Sequence, residues 1–167
     1  PDHLHFQATL KDELPLLPIV ERCHTADKSG IMLSTDFPAD LPMKFWSLVV
    51  MPDPTGMQLL SILPKLYGFD ATTGAPDPGM VNVIVWMDAS RRLRVVVFPR
   101  KHHRPACYYA EEKDRCLVSP GAVDMAGLFI LPRKEDFDRL DTEGIKDIYD
   151  QCGLTADELR NYRPAPL

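Results

Sequence analysis

The sequence predicts an α+β fold built on an antiparallel sheet, with helices mainly towards the carboxy-terminal end. Three observations carry that expectation. Alternating or β-branched apolar runs dominate the chain before residue 132, 3.6-residue periodicity dominates after it, and strands and helices do not alternate as a parallel sheet requires. A chain of 167 residues suits one domain with a sizeable core.

Taken in order, Asp2 to Leu10 reads as a strand, His3, His5, Gln7 and Thr9 alternating with Leu4, Phe6, Ala8 and Leu10. Leu14 to Val20 contains Pro15 and Pro18 and is expected to be an edge strand or extended segment. Thr25 to Gly30 reads as a polar turn and Phe37 to Pro42 as a loop. Lys44 to Met51 reads as a buried strand, with Trp46, Leu48 and Val50 on one face and Phe45 and Val49 on the other. Asp53 and Pro54 open a helix as N-cap and first residue, followed by Met57, Leu60 and Leu63 and stopped at Pro64. Gly68 to Gly79 is expected to be a loop.

Val81 to Met87 and Leu93 to Phe98 form the clearest strand pair, joined by the turn-forming Asp88, Ala89, Ser90 and Arg91. Trp46 and Trp86 lie inside apolar runs and are expected in the core. Met125 to Leu131 reads as a further strand, with Gly127 as a bulge or bend. Pro132 opens a helical stretch with Phe137 and Leu140 on its apolar side. A helix from Thr142 buries Ile145, Ile148, Tyr149 and Cys152 and stops at Gly153. Thr155 and Glu158 make a capping box for a last short helix bearing Leu159 and Tyr162.

Composition narrows the function. The 24 acidic and 19 basic residues give a net charge of −5, which argues against broad binding to a nucleic-acid backbone and leaves room for a local basic pocket. No apolar run approaches the roughly 20 residues that span a bilayer. Cys23, Cys107, Cys116 and Cys152 form neither a CxxC pair nor a zinc-finger spacing, so they read as thiols in a reducing, cytoplasmic compartment. Pro1 is not an initiator methionine, and the most chemical motif lies within residues 1–7, where a terminus frays. Residues 1–167 are therefore expected to be one domain, the carboxy-terminal part of a longer protein, with an upstream segment or second chain completing the site.

In the first strand His3, His5 and Gln7 share one face while Leu4, Phe6 and Ala8 anchor the other. The pattern admits a polar strand face, a pair of metal ligands, or a neutral imidazole nucleophile with an amide aimed at a phosphoryl oxygen. The run His3-Leu4-His5-Phe6-Gln7-Ala8 resembles the HxHxQ motif of the transferase branch of the histidine triad superfamily, which includes galactose-1-phosphate uridylyltransferases and diadenosine tetraphosphate phosphorylases. It is most similar to GDP-L-galactose and GDP-D-glucose phosphorylases, whose carboxy-terminal block Ser119 to Gly127 and Arg133-Lys134-Glu135-Asp136-Phe137 also resemble, as Val95 to Arg100 resembles a preceding strand.

This resemblance implies a HIT-like half-fold and a nucleotidyltransferase or phosphorylase acting on a nucleoside diphosphate sugar or dinucleotide, with phosphate as a further partner. It implies His5 as nucleophile, Gln7 in place of a third histidine, and His3 as a helper at the phosphoryl group. The chemistry asks for no cofactor and leaves room for a divalent ion. Arg100, Lys101, His103 and Arg104, with His102 among them, and Arg133 are the candidate phosphate contacts; each also reads as a solvated surface charge. The rival functions are a metal-binding enzyme or sensor using His3 and His5, and a non-catalytic nucleotide-binding domain.

Overall fold

The structure, a computed structural model, describes residues 8–25, 31–52, 68–69, 76–77 and 81–161. It is an α+β arrangement around a four-stranded antiparallel sheet. The strands are β1 (Ile31–Leu33), β2 (Trp46–Pro52), β5 (Val81–Met87) and β6 (Arg92–Pro99), in the order β1-β2-β6-β5. Within the expected loop, β3 (Gly68–Phe69) pairs with β4 (Pro76–Asp77) as a separate short ladder. Of the strand expected over Asp2 to Leu10, residues 2–7, with His3, His5 and Gln7, lie outside the described residues; residues 8–10 are not in a strand, and Ala8 and Leu10 are exposed rather than anchored in a core, because Leu10 already leads into the 3-10 turn Lys11–Glu13. The Asp53–Pro64 helix also lies outside the described residues.

Strand β6 occupies the middle of the main sheet because it is apolar on both faces. Its β-branched Val95, Val96 and Val97 are all buried, as a strand covered on both sides requires. Alternation then sends Phe45, Val96, Phe98 and Trp86 into one core layer and Trp46, Leu48, Leu93, Val95 and Val97 into another. The first layer is covered by Leu16, Leu17 and Val20, by Met125 and by Tyr149; Leu159 covers the second. Both tryptophans are core residues, as expected, 2 % and 8 % exposed.

The β5–β6 hairpin forms where it is expected, with Val81 opposite Pro99 and Met87 opposite Leu93. Arg91 takes the left-handed conformation, φ 57°, that closes the turn. Asp88 fixes that turn. Its carboxylate accepts from the Ser90 and Arg92 amides and from the Arg92 and Arg94 guanidiniums, at 2.8–3.0 Å. Arg94, 1 % exposed, also donates to the His24 carbonyl, which ties the hairpin to the end of the first helix. His24 in turn is buried with its Nδ1 2.6 Å from the Ser47 hydroxyl on β2.

Several local expectations are corrected. Leu14 to Val20 is not extended: Leu16–Cys23 is helix α1, burying Leu16, Leu17 and Val20. Its prolines do not interrupt it, because Pro15 is the N-cap and Pro18 falls in the first turn, where an N–H has no intrahelical acceptor. Met125 to Leu131 is not a strand. Ala122–Met125 is helix α2, and the Asp124 carboxylate accepts from the Gly121 and Ile130 amides, so that the chain folds around it. Gly127 at φ 99° ends this helix rather than bulging a strand. Its amide bonds the Asp124 carbonyl and the Leu128 amide bonds the Val123 carbonyl, the pairing of a Schellman cap.

Helix α3 (Lys134–Arg139) was expected to bury Phe137; instead Phe137 is 70 % exposed and Asp136 is fully buried. Helix α4 (Thr142–Cys152) buries Ile148, Tyr149 and Cys152 and ends at Gly153, as the periodicity predicts. Its amino terminus is capped by the Asp141 carboxylate, 2.8 Å from the Gly144 amide. Before helix α5 (Ala156–Asn161), the Thr155 amide bonds the Glu158 carboxylate and the Glu158 amide the Thr155 hydroxyl, the capping box read from the sequence.

Two outcomes follow. Gly127→Ala forces a side chain into φ 99° and should cost about 1 kcal/mol or more in urea unfolding, whereas Gly121→Ala, whose added Cβ meets nothing closer than 3.6 Å, should cost less. Burial pushes the Asp88 carboxyl up, but the Arg92, Arg94 and Ser90 hydrogen bonds outweigh it and hold it at about 2. A depressed folded-state value stabilises the fold above the unfolded value, so this contribution should fade as pH falls from about 4 to about 2. Asp88→Asn should be less stable at neutral pH and flatter across that window when unfolding is followed against pH.

Candidate functional site

The proposed nucleophile His5, with His3 and Gln7, lies outside the described residues. The other candidate contacts are described, and the structure separates them into two kinds.

Arg100 is a structural residue, which corrects its reading as a phosphate clamp. It leaves the end of β6 and is 8 % exposed. All of a guanidinium's five N–H donors are taken by the protein. Nε donates to the Cys152 carbonyl at 3.2 Å, Nη1 to Asn82 Oδ1 and to the Pro120 carbonyl, and Nη2 to the His102 and His103 carbonyls at 2.9 and 3.0 Å. The backbone adds an antiparallel bridge between Arg100 and Gly153 and a 3.0 Å bond from the Lys101 amide to the Cys152 carbonyl. Burial lowers the guanidinium's pKa, while the Cys152 side chain and the Asp124 carboxylate act to raise it.

Arg133 is also structural. It precedes α3 and makes a two-pronged pair with buried Asp136, both bonds 2.8 Å, and donates to the Arg115 carbonyl. Asp136 accepts in addition from the Leu117 amide and from Arg139. The Arg133 bond, and then the Leu117 amide, hold this carboxyl below its ordinary value against the opposing effect of burial. The positive charge at the start of α3, which the helix dipole disfavours, is thus explained by a buried carboxylate one turn on, with no ligand required.

The remaining candidates stay at the surface. His102, His103 and Arg104 are exposed, and Lys101 is half-buried, 3.5 Å from Glu158. Arg104 donates through Nε to the Ser119 hydroxyl at 3.2 Å and lies over the Tyr108 ring, 4.2 Å from its centroid. Its Nη groups take no protein partner among the described residues. Because Arg100 draws the His102 and His103 carbonyls inward, a short cationic rim is presented at this end of the sheet. Tyr108 joins it without having been singled out in the sequence; its place four residues after Arg104 carries no periodic signal in a loop. Ser119 joins it from the segment before α2.

A second feature lies nearby. Cys107, in the 3-10 turn Ala106–Tyr109, and Cys116 line an open groove of about 160 Å³ together with Asp114, Arg139, Asp147 and Ile148. Cys116, Val118, Ile148 and Cys152 form one small buried cluster with Cys107 packed against it.

Searches against protein-family models, curated proteins and solved structures returned no match. Among the described residues no helix is long and apolar enough to cross a membrane, and no group of three or more His, Cys, Asp or Glu side chains is placed to hold a metal ion.

The contrast between the two kinds of arginine is testable. Arg100→Met leaves the Pro120, His102 and His103 carbonyls and the Asn82 amide oxygen without this donor, the Cys152 carbonyl keeping the Lys101 amide, and should cost about 3 kcal/mol or more in denaturant unfolding. Arg104→Ala loses one surface bond and a ring contact and should stay within about 1 kcal/mol of the parent.

Proposed function

We propose that this chain carries the catalytic histidine of a HIT-like nucleotidyltransferase or phosphorylase, which acts on a nucleoside diphosphate sugar or a dinucleotide. The observation that carries the reading is the run His3-Leu4-His5-Phe6-Gln7-Ala8, together with the likeness of residues 119–127 and 133–137 to the same phosphorylases. Exposed His103 and Arg104, next to half-buried Lys101, support it, because they offer donors to phosphate oxygens in a chain whose net charge of −5 does not suit nucleic acid. Four thiols suit a cytoplasmic setting.

In this scheme the neutral His5 imidazole attacks the α-phosphorus. A phosphorus–nitrogen bond forms as the bond to the leaving phosphate oxygen breaks, and the leaving group departs with the electron pair. Gln7 donates its amide to a phosphoryl oxygen, and His3 contacts the same group. Phosphate then attacks the nucleotidyl-histidine and releases the nucleotide.

Incubation of the full-length protein with nucleoside diphosphate sugars and dinucleotides, read by intact mass, should reveal one covalent nucleotidyl group that phosphate removes. His5→Ala should form none; turnover by that variant at the parent rate contradicts the assignment. Arg104→Ala should raise KM roughly tenfold with little change in kcat if its free Nη groups bind the phosphate chain, the loss of one charge-assisted contact.

A further inference from the structure

We propose that Cys107 and Cys116 form a reversible disulfide, a modification site that takes small-molecule disulfides such as oxidised glutathione as its oxidant. The pairing is set by the backbone. The Cys116 amide donates to the Cys107 carbonyl at 3.0 Å, which holds the two residues within the span that a disulfide bridges. Both side chains line the same groove and pack in the same cluster, so closure asks for side-chain rotation rather than movement of an element.

Neighbouring contacts favour this pair over the other cysteines. Cys152, in the same cluster, is fully buried, and its backbone is fixed by the Arg100 Nε and the Lys101 amide, both bonded to its carbonyl. The loop between Cys107 and Cys116 is already fixed near its second end: the Lys113 carbonyl accepts from Arg139, and the Arg115 carbonyl accepts from both Arg133 and Arg139. Cross-linking a segment whose ends already meet strains the native state little while still restricting the unfolded chain.

The two cysteines differ in access, which sets the order of steps. Cys107 is half-buried at the groove, and Cys116 is 5 % exposed beneath it. The Cys107 thiolate attacks one sulfur of the oxidant, forming a mixed disulfide and expelling one glutathione thiolate. The Cys116 thiolate then attacks Cys107 Sγ, closes the protein disulfide and expels the second. Two protein thiols lose two electrons and two protons, and the oxidant is reduced to two thiols. Burial raises both thiols above their ordinary pKa, so each step should accelerate as pH rises.

The test treats the folded chain with mixtures of oxidised and reduced glutathione and maps the products by mass. The expected product has lost two hydrogens, yields a Cys107–Cys116 linked peptide, reverts with a dithiol reductant and melts about 5 °C higher than the reduced chain. Cys116→Ser should stop with one glutathionyl group on Cys107, and Cys107→Ser should leave Cys116 unmodified. The proposal is overturned by the absence of a bridge at every glutathione ratio, by a bridge that includes Cys23 or Cys152, by glutathione on Cys116 in Cys107→Ser, or by a bridge that does not raise the melting temperature.

Discussion

The guanidinium of Arg100 stands where β5, the end of β6, the segment before α2 and the carboxy terminus of α4 meet. Removing such a cation from water costs several kcal/mol, and the cost is offset only when its donors are all used. Here they are: Asn82, Pro120, His102, His103 and Cys152 each accept one bond. Four of those acceptors are backbone carbonyls, so the constraint acts on the course of the chain as well as on side chains. A shift of any contributing segment leaves a buried donor and a buried acceptor unmatched, and the position of α4 against the sheet follows from that penalty.

Two charged clusters, each a buried carboxylate between two arginines, repeat the device at smaller scale. Asp88 with Arg92 and Arg94 closes the β5–β6 turn and reaches α1 through the His24 carbonyl. Asp136 with Arg133 and Arg139 holds α3 against the Arg115 and Leu117 backbone. In each, a charged group is anchored by main-chain partners distant in sequence. The apolar layers bring the elements together; these polar centres fix how the connecting segments run between them.

What could be read in the sequence follows from this division. The β5–β6 hairpin and α4 were legible because their signals are local: an apolar strand pair about a turn, and a buried stripe at 3.6-residue spacing ended by Gly153. The Thr155–Glu158 capping box is equally local. Helix α1 was obscured because two prolines were read as strand-edge marks, although both occupy positions where a helix tolerates them. Helix α2 was obscured because it is only Ala122–Met125 and is defined by Asp124 binding two amides, one of them six residues away. For α3 the apolar Phe137 misled, since the buried member is the charged Asp136, stabilised by Arg133 and Arg139.

The candidate site divides in the same way. Arg100, Lys101, His103, Arg104 and Arg133 are equivalent as sequence, all basic residue types near strand or helix ends. Their separation depends on where the carbonyls of residues 102, 103, 115, 120 and 152 lie in space, which no local pattern encodes. Once Arg100 and Arg133 are committed inward, exposed Arg104 and His103, with half-buried Lys101, remain as a short basic rim on an acidic chain. Such a rim attracts a small, highly charged anion at short range, while the surrounding negative charge opposes a long polyanion that must lie across more of the surface. The buried arginine and the exposed one therefore serve a common electrostatic result: Arg100 shapes the turn by binding its carbonyls, and that turn carries Arg104 to the surface with its Nη groups unspent.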